Sequence, residues 1–265
     1  MKPCKQSKRV EAAGFVVQLN FHDPKQYSGI RIPFPPPAGQ KNVAAVIDIY
    51  SPKNAKKERI RHVSSRKPAI TGEGEYNGTF NIHSLTGRII IGGRNPGTIL
   101  LNFLTQVFSE LVLADNGILL HSACVIKNNK AYIFYGISGA GKSTVCRFSP
   151  GCAIASDDLT ALRIIHGRFR AWGIPQLDRF PPPPSHGPYP VKGLFLLKKG
   201  PGNRLVSIHG STAIATALTI KNGRFDSERI GKMLELLAKL TDHVPSYELQ
   251  FRKDSSFWKC IDRKN

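Results

Sequence analysis

At 265 residues with an ordinary apolar share of 41%, the chain is long enough for one large domain or two modest ones, each with a real core. No stretch reaches the about 20 consecutive apolar residues of a membrane-spanning helix. The five cysteines, odd in number and without a C-x-x-C pair, suggest neither a disulfide framework nor a structural zinc site. The net charge of +20 calls for an anionic partner, whether nucleotide, acidic peptide, nucleic acid or membrane surface, and does not choose among them. The lysines and arginines are scattered, apart from 53–66 and the two termini. The N-terminal MKPCKQSKRVEAAG has no apolar segment behind it and does not read as a signal peptide, so a reducing cytoplasm is the expected location. Cys124 and Cys146 read as small buried thiols.

Residues 1–10 read as a disordered basic tail, and 14–21 (GFVVQLNF) as a first strand followed by a turn at His22-Asp23-Pro24. The segment 30–42 is a proline-rich connection with few regular hydrogen bonds. Residues 43–50 (VAAVIDIY) form a second strand and 59–63 a third, while 76–82 and 88–91 form a hairpin about Leu85-Thr86-Gly87. Short strands joined by turns predict a small antiparallel, β-rich domain over residues 1–96. His22, His62 and His83 lie far apart and read as surface or core histidines. Ile99, Leu100, Phe103, Leu104, Val107, Phe108 and Leu111 recur at helical spacing, which predicts a helix of about four turns leading into a second domain over 97–265.

In that second part, 117–125 and 130–135 are strands around Lys127-Asn128-Asn129. The second strand runs into Gly136-Ile137-Ser138-Gly139-Ala140-Gly141-Lys142-Ser143-Thr144, which fits G-x-x-x-x-G-K-[ST] between a strand and a helix. Glycines at those places let several backbone N–H groups converge on one anion. Lys142 can reach outer phosphates, Ser143 can join the shell of a magnesium ion, and the helix start adds its positive dipole end. Gly136, Ser138, Gly139, Ala140, Gly141, Lys142, Ser143 and Thr144 are the expected phosphate-binding residues, and a nucleoside phosphate is the expected ligand. The helix must be short, because Ser149-Pro150-Gly151 stops it. A strand at 152–155 then ends in Ser156-Asp157-Asp158. Carboxylates on a strand tip beside a phosphate loop suit a metal-binding or base role.

Beyond lie a hairpin over 162–172 about His166-Gly167, an extended proline-rich loop at 180–188, and strands at 191–198 and 204–208 expected to pair with each other. Helices are expected at 211–219 and at 229–240, the latter with Ile230, Met233, Leu234, Leu237 and Leu240 on one face. A last strand at 244–251 is followed by a docking turn with Phe257, Trp258 and Ile261.

The run from Leu119 to Arg163, LLHSACVIKNNKAYIFYGISGAGKSTV followed by AIASDDLTALR, resembles the HPr kinase/phosphorylase family. It is most similar to the small HPr-kinase-related proteins, which include kinases of lasso-peptide precursors. The tail VPSYELQF…SFWKCI is similar to the end of that subfamily, so the resemblance covers about residues 97–261. It implies a mixed α/β (α+β) architecture: a phosphoenolpyruvate-carboxykinase-like P-loop kinase domain preceded by the small β-rich one. It further implies ATP or another nucleoside triphosphate with Mg²⁺ as cofactors. Carried over by position, His121 stands beside the transferred phosphoryl group and Asp157 is the general base on an acceptor serine. Lys142 stabilises phosphoryl charge, and Asp158 holds magnesium with Ser143; an exchange of the two aspartates' roles stays open. Trp172-Gly173-Ile174-Pro175-Gln176 stands where HPr kinases carry a glycine-rich signature of the dephosphorylation site, so neither HPr as substrate nor a phosphorylase reaction is carried over. HPr-branch members assemble as hexamers, so an oligomer is among the states the resemblance allows.

The expected activity is phosphoryl transfer from Mg·ATP to a serine of a peptide or protein, with an acidic acceptor suiting the basic surface. Two alternatives stand beside it: a nucleotide-binding module whose surface holds nucleic acid or another anionic partner, and a kinase of free serine or a similar metabolite.

Overall fold

The computed structural model describes residues 6–23, 25, 30–53, 77–92, 95–175, 180, 185–210 and 227–264. It is a mixed α/β protein with two sheets and, among the described residues, four helices. The strand expected at 59–63, the helix at 211–219 and much of the proline-rich loop lie outside the described residues. The chain divides into two compact units, Met1–Ala114 and Asp115–Asn265. A division at 96/97 would give the long apolar helix to the second part, whereas here it groups with the first.

The first unit carries strands β1 (Gln6–Ala12), β2 (Phe15–Phe21), β3 (Val43–Tyr50), β4 (Asn77–Asn81) and β5 (Thr86–Ile90), and helix α1 (Pro96–Ala114). The sheet order is β1-β2-β3-β5-β4. Two expectations are corrected here. Much of the supposed basic tail is β1, folded back on β2 through Ala13 and Gly14 with φ of 53° and 79°, the left-handed pair of a tight hairpin. Its first four residues are exposed and charged or polar, which hides the strand; Val10 and Ala12 alone are buried. Nor is the sheet antiparallel throughout: β2–β3 and β3–β5 are parallel, because long connections let the chain re-enter in the same direction. Val17, Leu19 and Phe21 alternate into the core with Ile47 and Ile49. Helix α1 is long and apolar enough to cross a membrane by length and composition alone. In this fold Phe103, Leu104, Val107 and Phe108 are fully buried, and Phe108 packs on Phe34 at 5.0 Å.

The second unit contains β6 (Gly117–Lys127), β7 (Lys130–Tyr135), α2 (Lys142–Arg147), β8 (Ala153–Ser156), β9 (Leu159–Ile165), β10 (Arg168–Gly173), β11 (Tyr189–Lys199), β12 (Arg204–Ser207), α3 (Ser227–His243), β13 (Ser246–Phe251) and α4 (Phe257–Asp262). They build an eight-stranded sheet in which β10-β9-β6-β7-β11-β13-β12 follow one another and β8 also pairs with β6. A further pairing of β10 with β11 closes β11, β7, β6, β9 and β10 into a ring. Both faces are buried, as the near-continuous apolar runs require. Ile118, Leu120, Ile133, Leu162 and Leu196 form one cluster with Leu237 and Leu240 of α3. Phe134, Val145, Phe195, Leu249, Phe257 and Trp258 form the other.

Strands β7, β11 and β13 are parallel, so their carboxyl ends gather along one edge. With a parallel partner on each side, β11 has no free edge there; β12 therefore pairs with β13 and not with β11 as expected. The buried stripe of α3 also differs from expectation. Leu236, Leu237 and Leu240 are buried, whereas Ile230 and Leu234 are 43% and 40% exposed. The expected docking turn is helix α4, whose Trp258 meets Tyr132 edge-on at 5.1 Å and donates Nε1–H to Ser149 Oγ at 3.0 Å.

Candidate active site

Strand β7 is buried on both faces, so its end is fixed and the chain must turn at once at Gly136. Gly136, Gly139 and Gly141 adopt φ of 152°, 75° and 115°, which residues with a side chain rarely reach. At Gly141 a Cβ would also stand 2.7 Å from the Phe251 ring at the end of β13. Ala140 N–H bonds Ile137 O at 3.0 Å, and Val145 N–H bonds Gly141 O at 2.9 Å to open α2. Ser138 and Gly139 form the exposed crest, Ala140 is buried, and Ser143 and Thr144 are half-buried on the first turn of α2. That helix has six residues, as the Ser149-Pro150-Gly151 stop requires, so its dipole adds little. Lys142 is buried and folds across the loop, its Nζ donating to Gly136 O at 3.0 Å and to Ile137 O at 3.4 Å. Burial lowers its pKa and the charge of Asp158 opposes that shift, so Lys142 senses Asp158 electrostatically.

The double aspartate stands where one long edge of β6 changes partner. Gly117 to His121 pair with β9, and Cys124 to Ile126 pair with β8. Asp157 and Asp158 link those two strands and are thereby held beside His121. Asp157 is buried, and Ser143 Oγ donates to its Oδ2 at 3.3 Å. Asp158 Oδ1 lies 3.3 Å from His121 Nδ1, with the two side chains 41% and 34% exposed. Burial lowers the His121 pKa, the Lys142 charge lowers it further, and Asp158 raises it in part. His121, Lys142, Ser143, Asp157 and Asp158 thus form one cluster at the mouth of the glycine loop. Within it Ser143 meets Asp157, where Asp158 had been expected, and Asp158 meets His121.

Among the described residues no group of three His, Cys, Asp or Glu side chains is assembled to hold a metal ion. Magnesium carried in by phosphates needs only one or two protein oxygens. Two neighbouring ligands at ~2.1 Å on an octahedral ion lie about 3 Å apart; the 3.3 Å between Ser143 Oγ and Asp157 Oδ2 fits that spacing.

Sequence reading passed over two residues of this site. Ser156 Oγ accepts N–H bonds from Asp158 at 3.3 Å and Leu159 at 3.1 Å and so shapes the tip; a serine two residues before a turn N–H was the available signal. Gly173 of β10 crosses β8 so closely that a Cβ there would be 2.0 Å from Ala155 O, and no local pattern announces that. His186, which has no role readable from sequence, is half-buried with its pKa lowered by burial, and its carbonyl accepts from Gly173 N–H at 2.8 Å. His22 is tied into the first unit by Asp48 at 2.9 Å and by stacking on Tyr50 at 4.3 Å.

No known protein-family model matches the chain, and no curated protein matches it significantly.

Proposed function

We propose that this chain is an ATP- and Mg²⁺-dependent kinase of the HPr-kinase-like type, with a phosphoenolpyruvate-carboxykinase-like catalytic domain, acting on a serine hydroxyl of a peptide or protein. One observation carries the reading: a glycine loop with three left-handed glycines opens beside a Ser143–Asp157 contact and a His121–Asp158 contact. The loop N–H groups and Lys142 bind and orient the phosphates. Ser143 and Asp157 would hold magnesium, which when bound supplies positive charge that neutralises the phosphates. This exchanges the two aspartates relative to the family-based assignment, because the hydroxyl of Ser143 reaches Asp157.

His121 Nδ1 stands 3.3 Å from Asp158 Oδ1, and burial and Lys142 favour its neutral form, so the imidazole would steady a carboxylate whose other oxygen faces the acceptor. As the serine oxygen bonds to the γ-phosphorus, Asp158 takes the hydroxyl proton, the bond to the bridging oxygen breaks, and ADP leaves with its electron pair. Acidic peptides suit the net charge of +20. That same charge supports the second reading, a nucleotide-binding module for nucleic acid or another polyanion.

The test is phosphate transfer from Mg·ATP, followed by mass spectrometry, to serine peptides of graded acidity, HPr and free serine. Peptide labelling that is lost with Asp158→Asn is expected. Labelling of free serine alone would move the assignment to a metabolite kinase. Tight nucleotide binding with no acceptor labelled would overturn the kinase reading in favour of the binding module.

A further inference from the structure

Strands β8 and β9 lie on the same edge of β6, and past the bulge between Cys124 and Val125 the last residue of β8, Ser156, keeps the register of β9. Cys124 is opposite Ser156, and His121 is opposite Leu159. Asp157 and Asp158 therefore occupy the two places where that ladder would simply have continued, opposite Ala123 and Ser122, and yet they belong to neither strand. In a continuous strand adjacent side chains point to opposite faces, which would drive the two carboxylates apart. Here both serve the same mouth, one toward Ser143 and one toward His121.

Two hydroxyls fill the gap in the ladder. Ser156 Oγ accepts the N–H of Asp158 at 3.3 Å and of Leu159 at 3.1 Å. Thr160 Oγ1 donates to Ser122 O at 3.2 Å, at the β6 residue opposite Asp158. Both side chains are buried, Thr160 completely, so these partners stand in for backbone groups that water does not serve. We infer that Ser156 and Thr160 are positioning residues which lift Asp157 and Asp158 out of the β6 ladder and so deal the two carboxylates to different partners. The inference rests on the proposed roles of those aspartates. Without the hydroxyls Asp158 N–H and Ser122 C=O regain partners by zipping Asp158 onto Ser122, which turns one carboxylate away from the mouth.

The experiment compares Ser156→Ala, Ser156→Thr and Thr160→Val. Tyr189→Phe serves as a control; it removes the bond from Tyr189 Oη to Ser185 O elsewhere in the same unit. Two readouts are taken: Mn²⁺ affinity of the nucleotide complex by electron paramagnetic resonance, and kcat and KM for transfer. Ser156→Ala and Thr160→Val are expected to weaken Mn²⁺ binding and kcat by about 10–100-fold, the usual cost of losing a residue that orients a ligand. Affinity for metal-free nucleotide should stay within about twofold, because the loop itself is untouched, and KM for the metal–nucleotide complex should rise in step with the lost Mn²⁺ affinity. Ser156→Thr, which keeps the hydroxyl, should recover both, and the control should change neither. Wild-type Mn²⁺ affinity and kcat in Ser156→Ala, or an equal loss in the control, overturns the inference while leaving the kinase reading intact. If no acceptor is labelled but Mn²⁺ binding falls in Ser156→Ala and returns in Ser156→Thr, the positioning stands and the transfer reaction falls. Absence of saturable Mn²⁺ binding by wild type with nucleotide overturns both.

Discussion

His121 illustrates how burial and two charged neighbours set one proton. Burial and the Lys142 ammonium both disfavour the imidazolium, and the Asp158 carboxylate partly restores it. Removing each charge should therefore move the titration in opposite senses. In a histidine-resolved NMR titration, Lys142→Met should raise the His121 pKa and Asp158→Asn should lower it further. Equal shifts in one direction would mean that the cluster is not assembled in solution. The sign for stability follows from the same shift. The folded state binds the His121 proton more weakly than the unfolded chain, so stability is lost as pH falls from the ordinary histidine value through the lowered one. Wild type should lose more melting temperature on acidification from neutral pH than His121→Gln does. Buried thiols give the contrasting case: burial beside Asp157 pushes Cys146 up to about 12, which suits packing and not chemistry.

Among the elements, the glycine loop and α4 depend on each other through β13. Gly141 is closed on one side by the Phe251 ring, and Phe251 stacks edge-on against Phe257 at 5.7 Å. Phe257 in turn leads into Trp258, which holds Ser149 just after α2. Trp258→Ala should cost about 3–5 kcal/mol in chemical denaturation, as large buried aromatics do. Gly141→Ala should behave differently. It combines a strained φ with a 2.7 Å contact, so nucleotide affinity in a calorimetric titration should fall by at least about tenfold. A Gly141→Ala variant that binds nucleotide like wild type would sever this loop from the ligand. The strand, the glycine loop and the short helix were legible in the sequence because each requirement lies within a few residues: an apolar run, left-handed φ, a proline stop. Strand β1 was not, because Lys8 and Arg9 on its exposed part carry no apolar alternation.

For the whole molecule, the two buried clusters of the second unit, among the described residues, are built from residues between Ile118 and Ile261. A unit whose core is its own folds by itself. A fragment of residues 115–265 should therefore unfold cooperatively by circular dichroism and keep nucleotide affinity within about threefold of the full chain. A fragment that is unfolded, or folded and unable to bind, would show that the first unit completes the second. Acceptor phosphorylation by the same fragment, with KM compared against the full chain, reports whether the first unit takes part in choosing the acceptor.

The sequence by itself determined the local features: the glycine loop, the paired aspartates at a strand tip, the hairpins and the packed C-terminus. These rest on backbone freedoms and periodicities that a few adjacent residues express. Only the tertiary structure decided the parallel pairings of β2, β3 and β5, the place of β12, the buried stripe of α3, and which carboxylate meets which partner. Ser143 and Asp157 are 14 residues apart and belong to different elements, and His121 comes to Asp158 only because β6 changes partner at that residue. Such meetings depend on strand order and register, which distant pairings set and no short stretch of sequence encodes.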